Sequence, residues 1–343
     1  MPLKSFWNLS CLMIEGDLEI SAKTLPPAHV ERMQNALVLP IEAKKSMTCG
    51  VVRADGRFRN MSRTLLSGAR LSGVPEIKDE PFAELQQGRW MFAGIGRHHF
   101  GHFLVETLIR LWAAGYYRDE LDGLVVIPNR GMDFSAAIDR RFGPFLSLIT
   151  DGLAVHLPTH PTRYETLLLP SPGFGPQGWI AGTPIFRREI RARVAARIRP
   201  QGSDKLYISR TQLQKDDKLV DQEGRIEAVM RKAGYDIFYP ERHSIADQLS
   251  RYMTAKTIVG AEGSAFHLAP FAMPTGGRAA LFQRRHYTRA FNAYPTQLEA
   301  FCEAEVTSLR PLVPRKANRK SSDESPALDF DALMDGLSDA GFI

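Results

Sequence analysis

Apolar strands and helices alternate along most of this 343-residue chain, and the alternation breaks once, at Pro200-Gln201-Gly202-Ser203-Asp204. Before the break, WMFAGIG (90–96), LDGLVVIPNR (121–130) and ETLLLP (165–170) read as buried strands, and 103–117, 136–149 and 184–199 as helices. After it come strands at 205–209, 235–240, 257–263 and 279–283, with helices at 222–233 and 244–254. Strands spaced by helices need crossover connections, and so a parallel sheet with helices on both faces. The expectation is an α/β protein of two Rossmann-like domains, residues 1–200 and 201–313. Two such units facing each other form an inter-domain cleft outside the carboxyl ends of their strands, where open sheets bind ligands. The first ninety or so residues offer one short strand candidate, 49–53, and little chemistry. A basic linker at 314–326 leads to an acidic amphipathic helix at 327–343.

Length and composition fit this plan. With 44% hydrophobic and 24% charged residues, the chain can fill two cores of ordinary size. No stretch approaches the ~18–20 apolar residues of a membrane span. Glu15 and Asp17 interrupt the apolar N-terminus, and no signal-peptide cleavage pattern follows. Cys11, Cys49 and Cys302 are too scattered for a disulfide framework or a zinc site, so a reducing, cytoplasmic setting is expected. The net charge of +6 attracts polyanions in general. Its two dense tracts, 187–199 and 310–320, lack the interleaved aromatics of a single-strand binding surface, so no nucleic-acid partner is expected. The first reads as the solvated face of a helix that buries Ile190, Val194 and Ile198. The second reads as a linker able to touch the anionic inner face of a membrane, a peripheral contact at most.

Three stretches could carry chemistry. In TIVGAEGSAFHLAPFAMP (257–274) a strand runs through Gly260 and Gly263 into a helix, where Ser264 could cap the helix or donate to a phosphate. Glu262 sits oddly beside a diphosphate; it suits a hydroxyl partner or a base better. In KLYISRTQLQKDD (205–217) a strand ends at Ser209-Arg210, and the arginine fork suits phosphate oxygens; a surface pair with Asp216 or Asp217 is the bland alternative. In RHHFGHFLVETLIRLW (97–112), His102 and Glu106 share a helix face, a base and its orienting carboxylate, unless Glu106 merely pairs with Arg110 on the helix surface. His98, His99 and His102 lack a Cys or Asp at ligand spacing, and Asp329-Phe330-Asp331 falls in the acidic tail, so no metal is assigned. No Gly-x-Gly-x-x-Gly fingerprint opens either half, and no cofactor is assigned.

Together the three stretches resemble glycosyltransferase family 61, which includes capsular polysaccharide biosynthesis proteins of bacteria. Gly101-His102 through Glu106 and Arg110-Leu111 match its helix motif, Tyr207-Ile208-Ser209-Arg210 its strand end, and Gly260-Ala261-Glu262-Gly263-Ser264 its final turn, over roughly residues 90–285. Glu262 stands where the family usually has His, and His267 follows a helical turn later. The resemblance implies a GT-B fold, inversion at the anomeric carbon and no metal requirement. It also implies transfer of a sugar from a nucleotide-sugar donor to a hydroxyl of a saccharide or glycan acceptor. His102, Glu106 and Glu262 then become the catalytic candidates, with the base left open between His102 and Glu262. Ser209, Arg210, Gly260, Gly263, Ser264 and His267 become the donor-binding set. A non-catalytic protein that binds glycan or nucleotide sugar, a degenerate transferase, is the alternative that Glu262 keeps open.

Overall fold

A computed structural model describes residues 17–42, 47–78, 80, 82–129, 134–214, 219–286, 290–314 and 326–343. The apolar N-terminus with Cys11, the Asp216–Asp217 pair, and all but the ends of the 314–326 linker lie outside the described residues. The chain divides into two compact units, Met1–Ile190 and Arg191–Ile343. No helix among the described residues is long and apolar enough to cross a membrane.

The strands of the first unit are β1 (Val30–Leu39), β2 (Gly50–Val52), a short hairpin of β3 (Leu65–Leu66) and β4 (Arg70–Leu71), β5 (Glu84–Gly96), β6 (Gly123–Pro128), β7 (Ala154–His156) and β8 (Thr162–Pro170). The main sheet runs β2-β1-β8-β5-β6-β7. The four strands from β8 to β7 are mutually parallel, as the alternation demands. The wholly parallel sheet expected here needs correcting, because β1 lies antiparallel to both β2 and β8 and adds a second kind of edge. A short return from β1 to β2 leaves no room for a crossover helix, and antiparallel pairing follows.

The helix after β5 is one continuous coil of changing pitch: α1 (Phe100–His102), a π-helical turn at Phe103–Thr107, then a 3₁₀ stretch at Leu108–Ala113. It is apolar on nearly every side, and Phe103–Ala113 are all buried. Phe103 stacks on Phe142 at 3.9 Å between ring centroids. Phe142 belongs to a second mixed-pitch segment, α2 (Phe134–Ala137) continued through Ile138–Phe142 into α3 (Gly143–Thr150). A surface pair between Glu106 and Arg110 does not form, for both side chains are fully buried. Arg110 instead donates to the carbonyls of Pro170, Met61 and Arg63 at 3.1, 2.8 and 2.6 Å, tying the end of β8 to the loop before β3.

Helix α4 (Pro184–Arg197) leads into the second unit and buries Ile190 and Val194 as its spacing predicts. Its basic face is not merely solvated. Arg191 donates to the carbonyls of Pro270 and Met273 at 2.8 and 2.9 Å. The order is then β9 (Lys205–Ile208), α5 (Glu223–Lys232), β10 (Asp236–Phe238), α6 (Ile245–Thr254), β11 (Thr257–Ala261), α7 (Ala265–Leu268), β12 (Arg278–Phe282), α8 (Ala293–Cys302), β13 (Glu305–Leu309) and α9 (Phe330–Asp339). All five strands are parallel, in the order β10-β9-β11-β12-β13. The chain steps outward from β9 to β10, then returns past β9 to β11. That reversal makes the carboxyl ends of β9 and β11 the topological switch point, the place where a doubly wound sheet opens a crevice. The tail helix α9 starts at Asp329, whose carboxylate caps it by accepting from the Ala332 amide at 3.0 Å. Leu333, Leu337 and Phe342 then pack into one core with Tyr207, Val259 and Phe282 from the sheet.

Candidate functional site

In the first unit the carboxyl end of β5 delivers the chain into the π-helical turn, and the chemistry gathers there. His102 Nδ1 lies 2.7 Å from Glu106 Oε1. Glu106 is fully buried, and its other oxygen pairs with Arg97 Nε at 3.0 Å. Ser67, from the loop joining β3 and β4, donates its amide and its hydroxyl to Glu106 Oε1 at 3.1 and 2.8 Å. The same hydroxyl oxygen is 3.2 Å from His102 Nδ1. Burial pushes the Glu106 carboxyl up, but the hydrogen bond to His102 and the Arg97 charge outweigh it and hold it below its ordinary value. An ionised carboxylate only accepts, so His102 donates through Nδ1 and its Nε2 takes no part in this bond. About a third of the His102 side chain remains exposed.

In the second unit the switch point holds the other candidates. Arg210 stands two residues past the end of β9, and its guanidinium lies over Gly263, just past β11: a Cβ there would stand 2.5 Å from Nη1. Gly260 is equally constrained, for a Cβ would meet the Ile208 carbonyl of the neighbouring strand at 2.8 Å. Glu262 is fully buried. Its Oε1 accepts from the amides of Arg284 and Arg285 at 3.3 and 3.2 Å, and its Oε2 pairs with Arg285 Nη2 at 3.3 Å. Arg284 Nε donates back to the Glu262 carbonyl at 3.0 Å. Burial, then the charges of Arg210 and Arg285, bring the Arg284 guanidinium down to about 10. Tyr294, buried on the first turn of α8, feels Glu262 and all three arginines, and burial above all lifts its phenol to about 12.

Of the remaining candidates, Ser209 and His267 are tied into the fold by hydrogen bonds. Ser209 donates its hydroxyl to Glu227 at 2.6 Å. Ser264 begins α7 without a side-chain cap bond, and α7 itself is a single turn. His267 Nδ1 lies 2.7 Å from Gln297 Oε1, and Gln297 Nε2 donates to the His267 carbonyl at 3.0 Å, clamping α7 to α8. Among the described residues, no group of three or more His, Cys, Asp or Glu side chains gathers as a metal would require. Cys49 and Cys302 are buried free thiols.

The family model for Glycosyltransferase 61 matches residues 100–279, just over half of the chain. The chain belongs to glycosyltransferase family 61. Comparison with curated proteins returns no match. Membership makes this glycosyltransferase an enzyme with a sugar donor and an acceptor. The matched region runs from the helix of His102 to β12 and contains both Arg210 and Glu262. Ser67 precedes it, while Arg284, Arg285 and Tyr294 follow it. None of these four stood out in the sequence of the glycosyltransferase. Arg284 and Arg285 did have a signal, since they follow the carboxyl end of a strand just as Arg210 does. Ser67 had none: it approaches Glu106 across 39 residues of chain.

Proposed function

We propose that this protein is a GT-B-type inverting glycosyltransferase that uses a nucleotide-sugar donor, with the base and the acceptor on the first unit and the donor on the second. The observation that carries this reading is the orientation of His102. With Nδ1 committed to Glu106, the ring offers Nε2 to an acceptor hydroxyl in the manner of a carboxylate–histidine general base. In the step, Nε2 takes the hydroxyl proton as the acceptor oxygen bonds to the anomeric carbon. The bond from that carbon to the diphosphate oxygen breaks, its electron pair leaves with the nucleoside diphosphate, and the configuration inverts. Arg210, at the switch point, supplies charge to the departing diphosphate.

Glu262 is a poor base by comparison. It is fully buried and accepts from two backbone amides and a guanidinium, so most of its lone pairs are already used. The base is therefore assigned to His102. A polysaccharide or glycan acceptor, handled in the cytoplasm near the inner face of a membrane, suits the basic chain, and no step needs a metal or a cofactor.

The test is a panel of UDP-, GDP-, CMP- and dTDP-sugars, scored for binding and for slow hydrolysis of the donor. His102→Ala should leave nucleotide affinity nearly intact and lower transfer by roughly 10²–10⁴-fold, the usual worth of a general base. Arg210→Ala should instead lose nucleotide affinity. A protein that binds none of the panel and hydrolyses none is a degenerate relative, and the transferase reading fails for it.

A further inference from the structure

Arg284 and Arg285 belong to neither of the motifs that flank them, yet the sheet places them beside both. Strands β9, β11 and β12 are parallel neighbours, so the residues just past their carboxyl ends share one edge: Arg210, Glu262-Gly263 and Gln283-Arg284-Arg285. The chain spends three guanidinium groups on this edge. The Arg284 and Arg285 amides and the Arg285 guanidinium converge on the single carboxylate of Glu262. Like charges that act on one another at a single edge, as Arg210 and Arg285 act on Arg284, cost free energy unless anions offset them. Three carboxylates act on this edge from within the fold: Glu262, Glu223 bonded to the Arg210 amide at 3.0 Å, and Glu241 near enough to act on Arg210; burial lifts Glu223 to about 7, which weakens its share near neutral pH. Arg285 keeps nearly half of its side chain in solvent, so its charge is within reach of a ligand.

We infer that Arg284 and Arg285 join Arg210 in a three-guanidinium clamp for the donor diphosphate, and that Glu262 is the positioning residue that holds the Arg284–Arg285 turn in that clamp. This rests on the second unit being the donor side. It gives a physical reason for a carboxylate beside a diphosphate: Glu262 points away from the ligand, into the turn, and fixes two arginines where they meet both phosphates. Bidentate guanidinium contacts to phosphate oxygens need this kind of fixed fork.

The experiment is calorimetric titration of the full-length protein with inorganic pyrophosphate and with UDP, GDP and CDP, alongside donor KM and kcat. Arg284→Ala and Arg285→Ala should each weaken pyrophosphate and the preferred nucleotide by about ten- to a hundredfold, the worth of one charge-assisted contact. Glu262→Gln should also weaken pyrophosphate, although it removes a negative charge, and should raise donor KM by more than it lowers kcat. If removing that charge tightens pyrophosphate instead, Glu262 only repels and holds nothing in place. If affinity stays and kcat collapses, Glu262 is the base, and the positioning role is overturned. Arg285→Ala guards against a folding artefact, because an exposed arginine can be truncated at little cost in stability. Nucleotide binding that depends on Arg210 but not on Arg284 or Arg285 defeats the clamp alone. Binding that ignores all three defeats the donor-side reading beneath it.

Discussion

Glu223 lies beneath the Arg210 amide, from which it accepts at 3.0 Å, and it takes a second hydrogen bond from the Tyr207 hydroxyl at 3.2 Å. Burial dominates over both contacts and lifts its carboxyl to about 7. The folded protein therefore holds a proton that the unfolded chain releases near pH 4.5. Stability from this group is fully present below the unfolded value and drains away as pH rises toward 7, by roughly 3 kcal/mol in all. Glu223→Gln keeps the shape and carries no titratable proton. Urea melts between pH 5 and 8 should lose that part of their slope in the variant, with wild type and variant closest at acid pH. At this scale the sequence was half legible. His102 and Glu106 could be paired from helical spacing alone, and so could the doubt over Glu262. Ser67 and Tyr294 could not, because each reaches its partners through the fold and neither lies in a local pattern.

At the scale of elements, the joint after β11 shows how closely backbone and function are matched. Gly263 is the residue over which the Arg210 guanidinium lies. Gly263→Ala puts a methyl group against the flexible end of a side chain, which can swing aside, so the fold should lose less than about 1 kcal/mol. If Arg210 serves the donor diphosphate as proposed, its fork would also be displaced, and pyrophosphate affinity should fall about tenfold. Thermal melts and titration on the same sample check both halves of that expectation. Most elements were readable because their apolar runs are long or strictly periodic, as in β5, β11 and α6. β1 escaped because VERMQNALVL buries its residues irregularly: polar positions alternate unevenly at its start and its last four residues are all buried. The changes of pitch after β5 escaped as well. Spacing reveals that Phe103–Ala113 coils, but not that its first turn is π-helical, a departure that recurs at functional sites.

At the scale of the whole molecule, the alternation of strands and helices on either side of the polar break at 200–204 was legible, although the two compact units part at Ile190–Arg191, inside α4 and before that break. The antiparallel edge of the first sheet was not legible, since strand direction leaves no mark on composition. The tail was legible as an amphipathic helix, and its destination came only with the structure. Leu333, Leu337 and Phe342 are buried in the second unit, and Tyr235 donates its hydroxyl to the Phe342 carbonyl at 3.0 Å. Each such side chain contributes about 1.5–3 kcal/mol by leaving water. Removing residues 327–343 should therefore unfold the second unit while the first survives. Limited proteolysis should then leave a protected fragment ending near residue 190 and strip away the rest. The same packing bears on how the protein is made. A ribosome delivers β9 well over a hundred residues before Phe342, and until then the sheet of the second unit has an uncovered apolar face. The first unit is free to fold as it emerges, but the second must wait for its own tail. A nascent chain stalled short of residue 330 should thus carry a finished first unit beside a second that chaperones still hold.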